Sequence, residues 1–133
     1  MRTSGLADGQ RPLDVTATAA ARSATPTHAE AQRLADLLAM VADPVRSRVL
    51  VALGAVPELS VGDLALALDV SADAASYALK MLRTAGLVSH RKDGRVVYYR
   101  LTEGFPHALV QHCLFELLAI SAGPSTHRAR RRR

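Results

Sequence analysis

The sequence predicts a mainly α-helical chain carrying one β-hairpin, in the order ααααββα, and three observations lead there. Apolar residues recur at helical spacing in several stretches between residues 28 and 121. A short polar residue of the kind that caps helices, Asp43, Ser60 or Ser71, stands in front of three of those stretches. Between the last two stretches lies a β-rich segment, Leu87 to Leu101, interrupted by the turn pair Asp93-Gly94.

Residues 1–27 are rich in Thr, Ala, Ser, Gly and Pro without a sustained apolar period, so the expectation is a disordered N-terminal tail. From His28 to Ala42, Ala31, Leu34, Leu37, Leu38 and Val41 share one face, which defines a first amphipathic helix. Asp43-Pro44 restarts the chain, with Asp43 as N-cap and Pro44 at the first helical position. The helix from Pro44 to Leu53 buries Val45, Val49, Leu50 and Leu53, exposes Arg46 and Arg48, and ends at Gly54.

Ser60 caps a short third helix from Val61 to about Leu68, with Asp63 placed to assist the first turn. Asp69-Val70 turns the chain, and Ser71 caps a fourth helix from Ala72 to about Ala85 whose core side carries Ala75, Ala78, Leu79 and Leu82. Gly86 follows where a left-handed residue closes a helix. The hairpin joins Leu87–His90 to Val96–Leu101 through Arg91-Lys92-Asp93-Gly94-Arg95. A last helix runs from Pro106 to about Ser121, with Leu109, Val110, Cys113, Leu114, Leu117 and Leu118 as a wide apolar stripe. Cys113, lying on that stripe, reads as a buried interface residue.

Two short helices across a tight turn, followed by a hairpin with a basic tip, make a winged helix-turn-helix. That unit is built to lay one helix in the major groove of DNA with a charged ribbon beside it. The charge distribution agrees. The chain carries 17 Lys and Arg against 12 Asp and Glu, but eight of the basic residues lie in the terminal segments, five of them in the arginine run 128–133. From His28 to His127 there are nine basic and ten acidic residues; from Lys80 to Arg100 there are six basic and one acidic. The folded part is therefore polarised rather than uniformly basic.

On this reading the DNA-contacting residues are Ala72, Asp73, Ser76, Tyr77, Lys80 and Arg83 on the fourth helix and Arg91, Lys92 and Arg95 on the wing. Short polar side chains and a Tyr near the start of the helix reach base edges, while the cations suit phosphates. The arginine tail reads equally as a solubilising end or as a nonspecific DNA arm.

In order and spacing, these segments resemble the ArsR/SmtB family of metal- and stress-responsive regulators. The residues that carry the resemblance are Leu38-Ala39-Met40-Val41-Ala42-Asp43-Pro44-Val45-Arg46, similar to the family's "LADPxR", and Glu58 to Leu64, similar to its "ELCVGDL" box with Ser60 for Cys. Leu79 to Arg83, Gly86-Leu87-Val88 and Gly94 to Leu101 follow. The resemblance covers about His28 to Ala122. It implies a homodimer through the first and last helices. A two-fold dimer presents two recognition helices about one DNA turn apart, so the expected operator is a double-stranded inverted repeat. The expected domain spans 28–122 and is followed by a basic tail, 123–133.

The resemblance also implies two places to look for a metal. One uses the Cys that is Ser60 here, and a hydroxyl is a poor ligand for soft ions. The other falls on Glu103, Phe105, Glu116 and Ala119, where only carboxylates remain as donors. A displaced set, Glu103, His107, His112 and Glu116, stands on or beside the last helix, with His112 and Glu116 one turn apart. Donors of that chemistry suit nickel, zinc or cobalt, with contributions from both copies of a dimer. The plain alternative is a surface hydrogen bond between His112 and Glu116.

No apolar run approaches the roughly 18 residues of a membrane span. A single Cys fits a reducing cytoplasm. The chain has no phosphate-binding Gly loop and no nucleophile–His arrangement, so an enzyme is not expected. The sequence thus predicts a cytoplasmic repressor modulated by a transition metal. The alternative is a regulator without metal sensing of its own, constitutive or controlled by a partner protein.

Overall fold

The computed structural model describes residues 10–122. The arginine tail expected at 123–133 lies outside the described residues. The chain divides into two compact units, Met1–Ala35 and Asp36–Arg133.

In the first unit, α1 spans Val15–Ala24, so the expected disordered stretch 1–27 contains a helix. Its cause is local. Asp14 accepts a hydrogen bond from the Ala17 amide at 2.8 Å, and half of the ten helical residues are Ala, which costs little side-chain entropy in a helix. None of α1 is buried, which is why no apolar period announces it. Thr27 and Glu30 then form a reciprocal capping box, 3.1 and 2.9 Å, at the start of α2, His28–Val41.

The second unit holds the core. α3 spans Pro44–Ala55, capped as expected by Asp43, whose carboxylate accepts from the Val45 and Arg46 amides at 3.0 and 2.9 Å. Arg46 is half-buried, not exposed: its Nε donates to the Met40 carbonyl at 2.6 Å, where it satisfies the C-terminal end of α2. Gly54 does not end α3 either. It lies inside the helix, where a Cβ would stand 2.9 Å from Val110 Cγ2, so its role is close approach to the last helix.

α4, Val61–Leu68, and α5, Ala72–Thr84, follow with the expected caps Ser60 and Ser71. α5 buries Ala75, Ala78, Leu79 and Leu82, the four residues its period marks for the core. Gly86 has φ +82°, and the Leu87 amide reaches back to the Leu82 carbonyl at 2.9 Å, closing α5.

The hairpin is β2, Val88–Asp93, and β3, Val96–Leu101. Asp93 pairs with Val96, so the two turn residues are Gly94 and Arg95 rather than Asp-Gly. Gly94 alone of these has positive φ, +64°, which matches a type II′ turn with Gly first. A third strand not foreseen from the sequence, β1 Leu59–Ser60, pairs antiparallel with β3 and gives the sheet order β1-β3-β2. Val49, Leu50, Leu53, Leu64, Leu79, Leu82 and Val110 fill the centre, with Val88, Leu101 and Phe105 at its edges.

The last helix is not uniform. A π-helical turn, Leu109–Cys113, precedes α6, Leu114–Ala122. It lies where Val110 seats against Gly54 and Gln111 Nε2 donates to the Gly54 carbonyl at 3.0 Å. Beyond it the apolar stripe is uncovered: Leu117, Leu118 and Ile120 are 60, 53 and 77 % exposed, and Cys113 is exposed too, so it belongs to no core within this chain. No helix among the described residues is long and apolar enough to cross a membrane.

Candidate nucleic-acid interface

The turn between α4 and α5 is set by Asp69, held left-handed at φ 57°, with the Val70 amide bonded to the Ala65 carbonyl at 3.1 Å. Asp is one of the few L-residues that tolerate this conformation. Ser71 Oγ then accepts from the Ala74 amide at 3.0 Å and starts α5. Because the buried face of α5 is fixed by Ala75, Ala78, Leu79 and Leu82, the opposite face must carry Ala72, Asp73, Ser76, Tyr77, Lys80 and Arg83. All six are exposed. Tyr77 stands out at 63 % exposure, too open for a core aromatic. Asp73 lies in the first turn, where a carboxylate favours the helix N-terminus.

Lys80 and Arg83 on α5, and Lys92 and Arg95 on the wing, are exposed and form no ion pair among the described residues. Arg91 differs. Its Nε donates to Glu58 Oε1 at 2.9 Å and its Nη2 to Glu58 Oε2, while Nη1 lies 3.7 Å from Asp93 Oδ2. Its guanidinium sits 4.6 Å from the centre of the Tyr98 ring. The Arg91 N–H groups hold the Glu58 carboxyl below the usual carboxylate range, and Glu58 in turn raises Arg91. Of nine sequence-predicted contact residues, eight are exposed and in no ion pair among the described residues; Arg91 is already engaged, with Glu58 and Asp93. Glu58 and Tyr98 were not singled out from the sequence, because 33 positions separate Glu58 from Arg91 and only the strand register joins them.

The metal candidates are brought together only in part. His112 Nε2 lies 3.2 Å from Glu116 Oε2, both well exposed. His107 stands edge-on to Phe105 at 6.4 Å, and Glu103 is exposed in the turn before α6. Among the described residues no group of three or more His, Cys, Asp or Glu is placed to hold an ion, so one chain offers a pair and not a complete site. The two alignments drawn from the resemblance hold side chains engaged elsewhere. Ser60 Oγ is occupied as the cap of α4, accepting from the Asp63 amide at 3.2 Å, and Phe105 is buried in the core.

An exposed helix after a tight turn, flanked by a ribbon with free cations at its tip, is a winged helix-turn-helix of the DNA-binding class. The comparisons place the chain further. The MarR family profile matches residues 43–96. A transcriptional repressor SmtB homolog of Synechocystis is 46% identical over 74 residues, 56% of this chain and 55% of that protein. The HTH-type transcriptional regulator KmtR of Mycobacterium tuberculosis is 38% identical over 96 residues, 72% of each chain. The solved structure of HlyU from Vibrio cholerae superposes with a TM-score of 0.61 at 33% identity, covering 68% of this chain and 97% of that one. The chain belongs to the ArsR/SmtB family of winged helix-turn-helix regulators. It spans little more than half of the Synechocystis relative, 55% of its length.

Proposed function

We propose that this chain is a transcriptional repressor that binds an inverted-repeat operator as a homodimer, with α5 in the major groove and the wing on the backbone. The observation that carries the reading is the exposed row of α5, Ser76, Tyr77, Lys80 and Arg83, beside the free wing cations Lys92 and Arg95. Dimerisation through α2 and α6 is supported by their uncovered apolar residues. Leu37 and Leu38 are 43 and 50 % exposed, and the α6 residues more so. Large apolar side chains left in solvent along a helix mark an association face. A two-fold dimer sets its reading helices roughly 34 Å apart, one turn of DNA. Selection of bound duplexes from a random pool is expected to enrich two half-sites in inverted orientation at that spacing. Failure to enrich any sequence contradicts the reading.

For the effector, we infer a transition metal of the nickel, zinc or cobalt class held by Glu103, His107, His112 and Glu116 from two copies. Family membership supports this, and so does the His112–Glu116 pair at 3.2 Å. The described residues of one chain do not complete a coordination sphere, so no step of DNA release is derived through the ion. Titrating each metal into the protein–operator complex is expected to change operator affinity, and the change should vanish in the quadruple alanine variant. A flat titration favours the second reading, a regulator constitutive or controlled by a partner protein. The occupied Ser60 and buried Phe105 speak for that reading.

A further inference from the structure

We propose that Arg91 is a positioning residue of the wing and not a DNA contact: its forked bond to Glu58, laid across Tyr98, fixes the angle at which the wing presents Lys92 and Arg95. The inference rests on the DNA-binding reading above and specifies how one half of that surface is held.

A two-stranded ribbon projecting into solvent is marginally ordered by itself. Here the third strand supports it over two residues only, Leu59 opposite Tyr99 and Ser60 opposite Tyr98. Everything from Lys92 to Val96 extends past that support. Alternation along the strands puts Glu58, Ser60, Tyr98 and Arg91 on one face of the sheet. Leu59, Tyr99, His90 and Val88 lie on the other, where all but the exposed His90 meet the core. Arg91 therefore starts on β2, crosses β3 over the Tyr98 ring and ends on the segment that leads into β1. One side chain ties the two outer strands across the central one. A lysine has no planar fork with which to do this.

The anchor also reaches the reading helix. Glu58 is two residues before Ser60, which caps α4, and α4 packs on α5. The strap thus couples the wing to the start of the helix-turn-helix. The inner face has its own contact, His90 stacked on Tyr99 at 5.6 Å, but that pair stays within the hairpin and ties nothing to α4.

Arg91 is ill placed to serve a phosphate instead. Both oxygens of Glu58 are taken up by its guanidinium, and Asp93 lies 3.7 Å away. Turning Arg91 to DNA would strip Glu58 of its hydrogen-bonded partner beside a polyanion, leaving only the electrostatic influence of Arg100. Glu58, Arg91 and Asp93 together carry a net negative charge and Arg100 brings the group only to neutrality, so the cluster as a unit does not attract DNA. An exposed ion pair adds little to stability. Its value here is orientation.

Two accounts give opposite signs for one substitution. If Glu58 is merely an acid near the interface, E58Q removes repulsion, frees Arg91 and tightens binding. If Glu58 anchors the wing, E58Q weakens operator binding while leaving nonspecific affinity as it was or higher. The experiment is a fluorescence anisotropy titration of the full chain with its selected duplex and a scrambled one, over a range of salt. E58Q and R91K are both expected to lose about tenfold on the selected duplex, with the salt slope unchanged and the thermal midpoint close to wild type. The double variant should be no worse than the poorer single one. Tighter or unaltered operator binding by E58Q overturns the proposal. So does a slope lowered by about one in R91Q alone, which is the mark of a lost phosphate contact. If wild type does not distinguish the two duplexes, it is the DNA reading that fails, and the two failures are told apart.

Discussion

The segment from α3 to Phe105 and the two helices that flank it, α2 and α6, solve the same problem in different ways. In the first, apart from Leu66 on the outside of α4, the main apolar rows find their partners inside the chain: Val49, Leu50 and Leu53 of α3 meet Leu64, Leu79, Leu82, Val88 and Leu101 with almost no exposure. In the flanking helices Val110 enters that core and Met40, Val41, Leu109 and Leu114 pack against it, while Leu37, Leu38, Leu117, Leu118 and Ile120 remain open. The reading half is complete within one chain. The flanks leave apolar surface open, and in the proposed homodimer its burial supplies the driving force.

The largest effect expected is on the closed half. Leu79→Ala removes a fully buried side chain from the α5 contact with α3, and should cost roughly 2–5 kcal/mol in denaturant unfolding. Opening the flanks should behave differently. Leu117→Glu with Ile120→Glu ought to keep the helical circular dichroism yet turn a dimer into a monomer by light scattering, with operator affinity down about 100-fold. If that variant unfolds instead, α6 belongs to the core and the contrast between the two regions is lost.

Gly54→Ala probes the seam between them. Ala gains about 1 kcal/mol of helix propensity, but its Cβ would meet Val110 Cγ2 at 2.9 Å. Val110 is fully buried and its short branched side chain cannot turn away, so overpacking of about 1–3 kcal/mol outweighs the gain. A net loss near 1 kcal/mol is expected, and a stabilised Gly54→Ala would show that the seam is loose.

The smallest effect concerns acid. Glu58 has its carboxyl lowered chiefly by the Arg91 hydrogen bond. A lowered folded value contributes above the unfolded one and is lost as pH falls through the folded one. The Glu58 side-chain carboxyl followed by NMR should titrate below the ordinary glutamate value of about 4.3, and a midpoint at or above that value would contradict the strap.

How much of this was legible follows the same divide. Asp43, Ser60, Ser71 and Gly86 announce their helix ends because capping is local chemistry, and the period of α5 marks all four of its buried residues. The features missed depend on contacts distant in sequence. β1 is two residues long and exists because β3 lies beside it. Arg46 reads as a surface cation until α2 ends above it, and Glu58 reads as a loop acid until the register brings Arg91 across. Helix α1 escaped for the opposite reason, since an alanine-rich helix with no buried face leaves no apolar period. The π-helical turn follows the packing of Val110 on Gly54, which no local pattern encodes. Of the candidate site, the outward face of α5 was readable by subtraction, once its buried face was known.

The central claim is that α5 reads sequence while the wing tip holds the backbone. Anisotropy titrations with a selected duplex and a scrambled one, from low to high salt, separate the two roles. Ser76→Ala with Tyr77→Ala should lose most of the preference for the selected duplex and keep the wild-type salt slope. Lys92→Ala with Arg95→Ala should weaken both duplexes alike and lower the slope by about two per protomer. Full sequence preference in the Ser76/Tyr77 variant would contradict the account.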